Sequence, residues 1–432
     1  MSETSPLPDE ALPNVHRLAN GVQVVCDPMP GLQTLAVSVV AGRGARYEDA
    51  GRCGWSHLME HMVFKGANGR SAQEIVEAIE AEGGQINAAT GYERTSYQVR
   101  ALEGGMDLGL STISDLLFRP TLSPEDLAKE KQVIGQEIAE AADDPEDRVF
   151  EMAQVAAFPD QPLGRPILGT VESIGAATPE TLADWRARLY PPNALVVAAA
   201  GAVDEAQLLE MAERDFGPQA AASGPDMTFT PATFDGGAVA DADRLEQAHA
   251  VFLLPAPSAT DPEYFALRLF AEILGGGMAS RLFQEARERR GLAYAIDAYA
   301  ETYLDTGLLG VYAGCAAKDA RELAQVVAGE IASLARQVEP RELARAKAQL
   351  KASMFMGRES PLARAEHAAG QLLIFGRLLG PKEIARRIDA VEAADLERLG
   401  QRMVSQGRAA ASVLGPKAAL GAAEVFRKSL AG

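Results

Sequence analysis

The stretch WSHLMEHMVFKG, residues 55–66, carries two of the five histidines of the chain, four residues apart, with a glutamate directly before the second. On a helix, positions i and i+4 lie on one face a turn apart, so His57 and His61 can point their imidazoles at one place. Glu60 lies at the edge of that face. Most of the other side chains are apolar, so the stretch also fits an amphipathic core helix whose histidines are satisfied by ordinary hydrogen bonds. The pattern predicts a helix and leaves both interpretations open.

The order H-x-x-E-H favours a metal site. It inverts the H-E-x-x-H zinc helix and is itself a known zinc-site motif. A catalytic zinc takes three protein ligands and a water, so a third ligand is required. The other histidines, His16, His249 and His367, stand in contexts without a ligand pattern. A carboxylate is therefore the expected third ligand.

A second helix is predicted in SPEDLAKEKQVIGQEIAEA, residues 123–141, which opens with a serine N-cap and a proline. Glu130 and Glu137 on this helix are two turns apart and project from the same face. Taken alone, such a pair also fits a solvated helix surface. Glu140, one turn further on, is a competing candidate for the third ligand.

Length, charge and cysteine usage limit the class of protein. A chain of 432 residues favours two domains. The formal net charge of −19 argues against nucleic acid or an anionic membrane as partner, because both are polyanions. Three widely spaced cysteines favour a reducing compartment over a disulfide framework. The sequence shows no signal-peptide pattern and no apolar run of membrane-spanning length, so we expect a cytoplasmic protein that binds neither nucleic acid nor membrane.

The two halves of the chain repeat one plan. Strands and helices come in separate groups, which favours two similar α+β domains, each a mainly antiparallel sheet packed with helices. In the first half GQINAATGYERTSYQVRAL, residues 84–102, predicts a hairpin or long paired strands, and in the second half residues 291–314 also predict strands. The Gly- and Pro-rich residues 216–241 predict a linker. The expected division is a tail at 1–15, a zinc-binding domain at 16–215 and a second, homologous domain at 242–432.

These motifs carry a resemblance that spans nearly the whole chain. H-x-x-E-H with its downstream glutamates resembles the pitrilysin/insulinase family of inverted-motif zinc metallopeptidases, above all the short-chain branch that includes the mitochondrial processing peptidase. Further matching segments are GGQINAATGYERTSY (83–97), PLGRPILGT (162–170), LVVAAAG (195–201) and ILGGGMASRLFQEARERRGLAYAI (273–296). The resemblance implies a zinc endopeptidase acting on peptides or unfolded precursor segments held in a chamber.

The resemblance also implies a role for each motif residue. His57, His61 and Glu137 would bind one Zn²⁺ per chain, and Glu60 would be the general base. Glu130 would support the site from the same helix as Glu137.

Further residues would complete the chemistry and bind the substrate. Arg287 and Tyr294, in RERRGLAY, match the family's pair that stabilises the oxyanion. Asn87, Ala88 and Ala89 match the family's substrate-binding edge strand, where an extended peptide adds itself by main-chain hydrogen bonds. Family members often carry an aromatic residue at the position of Ala89, so the pocket for the substrate residue next to the cut is expected to be either roomier or built from other residues.

The resemblance finally bears on assembly and on alternative functions. Because one chain holds both the zinc set and the Arg/Tyr pair, it needs no distinct partner, and a homodimer with two sites is expected. Two other functions are weighed against a peptidase: a non-catalytic scaffold or assembly subunit of the same fold, and a small-molecule metallohydrolase. The complete residue set argues against the scaffold, and the predicted edge strand favours peptides over small molecules.

Overall fold

The computed structural model describes residues 12–220 and 227–431, so the predicted tail and linker lie partly outside the described residues. By its internal contacts the chain forms two compact units. Unit 1 draws on Met1–Ile138, Pro166–Phe229 and Met354–Ile384, and unit 2 draws on Ala139–Arg165, Thr230–Ser353 and Ala385–Gly432. Each unit therefore includes a segment from the opposite half of the sequence. This exchange of segments is not part of the expected linear division into 16–215 and 242–432.

The strands and helices follow one another along the chain as two similar series. The strands are β1 Val15–Arg17, β2 Gln23–Pro28, β3 Thr34–Ala41, β4 Gly66–Ala67, β5 Arg70–Ser71, β6 Gln85–Thr90, β7 Thr95–Leu102, β8 Leu195–Gly201, β9 Gly237–Ala242, β10 Gln247–Ala256, β11 Ala293–Thr302, β12 Gly307–Ala316 and β13 Ala410–Gly415. The helices are α1 Trp55–Val63, α2 Ala72–Ala81, α3 Met106–Phe118, α4 Pro124–Asp143, α5 Pro145–Ala157, α6 Val171–Gly175, α7 Pro179–Leu189, α8 Glu205–Phe216, α9 Tyr264–Gly275, α10 Ala320–Arg336, α11 Pro340–Gly357, α12 Pro361–Phe375, α13 Pro381–Ala390, α14 Ala393–Ser405 and α15 Ala422–Ala431.

The sheets of the two units share one topology. In unit 1 the strand order is β1-β2-β8-β3-β7-β6, and in unit 2 it is β11-β12-β10-β13-β9. Neighbouring strands are antiparallel except for β2 with β8 and β9 with β13. Without β1, the order β2-β8-β3-β7-β6 corresponds strand by strand to β9-β13-β10-β12-β11. The prediction of two similar, mainly antiparallel α+β domains is confirmed.

The predicted hairpins occupy equivalent places in the two sheets. β6 and β7 pair from Gln85↔Arg100 to Thr90↔Thr95, which confirms the hairpin predicted for residues 84–102. β11 and β12 form the corresponding pair in unit 2. In each sheet the first strand of the hairpin is an edge strand.

The sheet of unit 1 is covered on both faces. Val37 of β3 belongs to one core cluster, with α1, α3, α7 and α8, whereas Val40, three residues further along the strand, belongs to a second cluster with α12. Because successive strand residues point to opposite faces, the two clusters lie on opposite sides of the sheet. Arg364 of α12 also forms a bidentate ion pair with Asp27 of β2, with contacts of 2.6 and 2.7 Å.

The sheet of unit 2 is covered by helices in the same way. α5 packs against β9, β10 and β13, and the buried hydroxyl of Ser412 on β13 donates a hydrogen bond of 2.7 Å to the Val149 carbonyl on α5. α9 packs against β11, and α15 against β13.

Two further features concern the state of the cysteines and the character of the helices. Cys26, Cys53 and Cys315 are buried and form no disulfide bonds. Among residues 12–220 and 227–431, no helix combines the length and apolar character needed to cross a membrane.

Candidate metal centre

The start of α1, the helix that carries the two histidines, is held in place by the residues around Gly54. Gly54 precedes it with φ of 85°, and a Cβ on this residue would lie 2.5 Å from the Leu168 carbonyl oxygen, so the position requires glycine. The Glu48 carboxylate, which is 4% exposed, accepts hydrogen bonds from the backbone N–H groups of Gly54 and Ser56 at 2.7 and 2.6 Å. A carboxylate at this end satisfies free N–H groups and the helix dipole together. The start of α1 is therefore held by a side chain outside the helix.

The two faces of α1 differ in composition and burial. Leu58, Met59 and Met62 are fully buried in the core of unit 1. His57 and His61 lie on the opposite side, with side chains 13% and 20% exposed and ring centroids 4.6 Å apart. The apolar face fixes how the helix is rotated, and that rotation turns both imidazoles toward α4.

Glu137 on α4 meets the two histidines. Its Oε2 lies 3.9 Å from the Nε2 atom of His57 and 3.6 Å from the Nε2 atom of His61. Within the described residues, these three side chains are the group whose ligand atoms converge closely enough to hold a metal ion. Glu140 is exposed and lies outside this group.

The donor set and its spacing fit zinc. Two imidazole nitrogens and one carboxylate oxygen form a usual ligand set of catalytic zinc. Tetrahedral bonds of about 2.0–2.1 Å place ligand atoms roughly 3.3–3.4 Å apart, so the distances of 3.6 and 3.9 Å need to shorten by only a few tenths of an ångström. Burial lowers the pKa of His57 to about 4, with His61 as a second cause, which keeps this imidazole neutral and able to bind metal at neutral pH.

A second layer of contacts holds His61 in place. Glu130, which is 4% exposed, lies with its Oε2 3.0 Å from Nδ1 of His61, the nitrogen opposite the one that faces Glu137. The other oxygen of Glu130 lies 2.7 Å from the ammonium of Lys65. Carboxylates in this position fix the tautomer and orientation of metal-binding histidines. Glu130 thus lies where a carboxylate can hold the imidazole of His61 in the orientation that faces Glu137.

Glu60 lies next to the convergent group. Its Oε2 accepts a hydrogen bond of 2.5 Å from the Thr90 hydroxyl at the end of β6. Burial raises the pKa of Glu60, Glu137 adds to the rise, and the hydrogen bonds from Thr90 together with the charge of His61 oppose it. A carboxylate held beside a metal group with a raised pKa is suited to accepting and returning a proton.

The segment predicted to bind substrate is the edge strand β6. Its side chains alternate: Asn87 and Ala89 are exposed, whereas Ala88 packs against the core of unit 1. β7 covers one side of this strand, and the described residues supply no strand on the other side. The backbone groups of that free edge are of the kind that bind extended peptides.

Arg287 and Tyr294 belong to unit 2. Arg287 lies in a π-helical segment, Phe283–Arg289, where its guanidinium is 4.7 Å from the centroid of the Phe283 ring. Tyr294 lies near the start of β11 and is 60% exposed. Their role in catalysis stays a prediction.

Sequence reasoning missed three residues of the site: Glu48, Lys65 and Thr90. Lys65 falls within residues 55–66, four residues after His61, and this helical spacing from a predicted ligand was a usable signal. Glu48 and Thr90 act through contacts that depend on how separate segments fold together, and no local pattern marks them.

Comparison with known proteins places the chain in a family. Residues 23–171 match the model of insulinase, peptidase family M16, and residues 176–350 match the model of the peptidase M16 inactive domain. An uncharacterized zinc protease of Rickettsia bellii is 36% identical over 404 residues, covering 93% of this chain and 97% of that protein. An uncharacterized zinc protease of Mycobacterium leprae is 33% identical over 406 residues, covering 93% and 91%.

Solved structures share the fold. A protease from Helicobacter pylori matches with a TM-score of 0.87 at 20% identity, covering 94% of this chain and 99% of that one. A chain of complex III from Candida albicans matches with a TM-score of 0.84 at 22% identity, covering 96% and 99%. The family models and the sequence identity of these relatives show that the chain belongs to the insulinase family of peptidases, family M16.

Proposed function

We propose that the protein is a zinc-dependent endopeptidase that hydrolyses peptide bonds in unfolded peptides or precursor segments. The observation that carries the proposal is the convergence of His57, His61 and Glu137, with Glu60 close enough to interact electrostatically with His61 and Glu137. Zinc is favoured by the donor set and by the relatives named zinc proteases.

His57, His61 and Glu137 would hold one ion per chain. Zinc there would supply positive charge that polarises a peptide carbonyl and acidifies water. The carboxylate of Glu60 accepts a proton from the attacking water and then gives that proton to the leaving amine. Glu130 keeps the Nδ1 proton of His61 in place, so that Nε2 presents its lone pair toward Glu137.

The remaining predicted residues complete this proposal. Tyr294 and Arg287 would stabilise the oxyanion of the tetrahedral intermediate, a contribution of roughly 2.7–4 kcal/mol for one well-placed donor. The free edge of β6, at Asn87, Ala88 and Ala89, would hold the peptide by main-chain hydrogen bonds. The proposed assembly is a homodimer with two sites, because one chain carries both the zinc set and the Arg/Tyr pair.

The test compares the parent with Glu60→Gln on an unbiased peptide library, with zinc measured in both proteins. The parent should hold about one zinc per chain and cleave peptides, and chelation should abolish cleavage with partial recovery on adding zinc. Glu60→Gln should keep its zinc and still bind peptide, while turnover falls by orders of magnitude. A zinc-loaded parent that cleaves no peptide would favour the scaffold function instead.

A further inference from the structure

Thr90 occupies a defined place at the end of the edge strand β6. Three alternating side chains of this strand, Ile86, Ala88 and Thr90, are partly buried, and the first two pack against the core of unit 1. Helix α1 packs against the same strand. Thr90 is the polar member of this inward-facing row, so its hydroxyl needs a partner on that side.

That partner is Glu60. The Thr90 hydroxyl donates a hydrogen bond of 2.5 Å to Oε2 of Glu60, across 30 positions of sequence. A hydrogen bond to an ionised carboxylate is stronger than one between neutral groups. The backbone N–H of Thr90 also donates to this carboxylate, so the same residue holds Glu60 through its hydroxyl and its main chain.

The backbone around Thr90 is fixed on both sides. Thr90 pairs with Thr95 in the ladder, and the backbone N–H of Gly91 donates to the Arg94 carbonyl at 2.8 Å. The Gly91 carbonyl in turn accepts from the N–H of Ala45 at 3.0 Å. Threonine is also β-branched and has few side-chain rotamers. The hydroxyl that meets Glu60 is therefore presented from a rigid position.

We propose that Thr90 is a positioning residue for the general base: it fixes the carboxylate of Glu60 and ties it to the strand that receives the peptide. The inference rests on the proposed function and adds to it a specific dependence of turnover on one hydroxyl. Because Thr90 touches neither the metal group nor the exposed face of β6, its removal acts on the proton-transfer step rather than on metal or peptide binding.

The experiment measures kcat, KM and zinc affinity for Thr90→Val and Thr90→Ser. Valine keeps the branched shape and the strand preference but lacks the hydroxyl, and serine restores it. A hydrogen bond to a charged group contributes enough that kcat of Thr90→Val should fall about tenfold to a hundredfold. KM and zinc affinity should stay within about twofold of the parent, and Thr90→Ser should recover most of the lost kcat.

A matched control comes from the other unit. Thr302 ends β11, the strand that corresponds to β6 in the shared topology, and it is partly buried as well. Thr302→Val should leave kcat within about twofold of the parent. Equal losses for Thr302→Val and Thr90→Val would show a general effect of the substitution and overturn the proposal.

Several other results would overturn the positioning role of Thr90. A kcat of Thr90→Val close to that of the parent, a loss confined to KM or zinc content, or no recovery in Thr90→Ser would each overturn the positioning role. If the parent cleaves no peptide, the proposed function fails, and crystal structures of the parent and Thr90→Val then test the inference separately. If the Glu60 carboxylate is disordered or rotated in Thr90→Val, the role of Thr90 is supported. If the carboxylate keeps its position and orientation, that role is refuted.

Discussion

Replacing Lys65 with methionine tests whether the chain of contacts from Lys65 through Glu130 to His61 supports metal binding. The Lys65 ammonium lies 2.7 Å from one oxygen of Glu130, and the other oxygen lies 3.0 Å from Nδ1 of His61. Methionine keeps much of the side-chain length and removes the charge. The buried Glu130 carboxylate then loses its cation and can turn away from the imidazole.

The size of the effect follows from the exposure of the pair. The Glu130 side chain is 5% exposed and that of Lys65 is 35% exposed. Breaking a fully buried pair costs about 3–5 kcal/mol, and the partial exposure of Lys65 reduces this through solvent screening. Loss of an outer partner of a zinc-binding histidine lowers metal affinity by about 10- to 100-fold, or roughly 1.4–2.7 kcal/mol, which fits the reduced figure.

The assay is competition for zinc against a chelator of known affinity, on the parent, Lys65→Met and Lys65→Arg. Lys65→Met should bind zinc about 10- to 100-fold more weakly, and Lys65→Arg should stay close to the parent because it keeps the charge. Lys129→Met is the matched control, since Lys129 forms an ion pair on the same helix as Glu130 with side chains 62% and 80% exposed. If zinc affinity of Lys65→Met lies within twofold of the parent, the supporting role of this contact chain is refuted.

Three further predictions concern the ligands, the assembly and the fold. Glu137→Gln should reduce zinc content measured by elemental analysis while Glu140→Gln should not, and the reverse result would move the third ligand by one helical turn. Mixing Glu60→Gln chains with Tyr294→Phe chains, each nearly inactive alone, should restore up to about a quarter of the parent's peptidase activity if the Tyr serves the partner's zinc; no recovery with proven heterodimers would exclude that arrangement. Arg364→Met should lower the free energy of unfolding by about 3–5 kcal/mol in urea titrations, because it leaves a buried carboxylate unpaired, and a change below about 0.5 kcal/mol would contradict that account.

The helical part of the site could be predicted from the sequence because its geometry is local. The spacing of His57 and His61 within one helix fixed their shared face, and the apolar residues between them predicted which side would be buried. The third ligand was different: helix periodicity left Glu137 and Glu140 both open, and the family resemblance selected Glu137. The structure shows Glu137 in the convergent group.

Other features could not be predicted because they depend on pairings between distant segments. The sequence pattern showed a hairpin at residues 84–102 but could not show that its last inward hydroxyl, on Thr90, would meet Glu60. Nor could it show that β8 inserts between β2 and β3 at the centre of the sheet, since strand order is set by packing across the whole unit. The duplication was visible as repeated local patterns, whereas the exchange of Met354–Ile384 into unit 1 was not.

The interleaved order of the two units bears on how the protein is made at the ribosome. Helix α12, which covers one face of the sheet of unit 1, is encoded after most of unit 2. At about 5–20 residues per second, translation needs on the order of 10 to 30 s between the end of α8 and the end of α13. During that interval the newly made zinc-binding half carries an uncovered apolar sheet face, the kind of surface that chaperones bind. Its final folding step is therefore a late, long-range event, and expressing the first half alone would yield a sheet that lacks one of its two coverings.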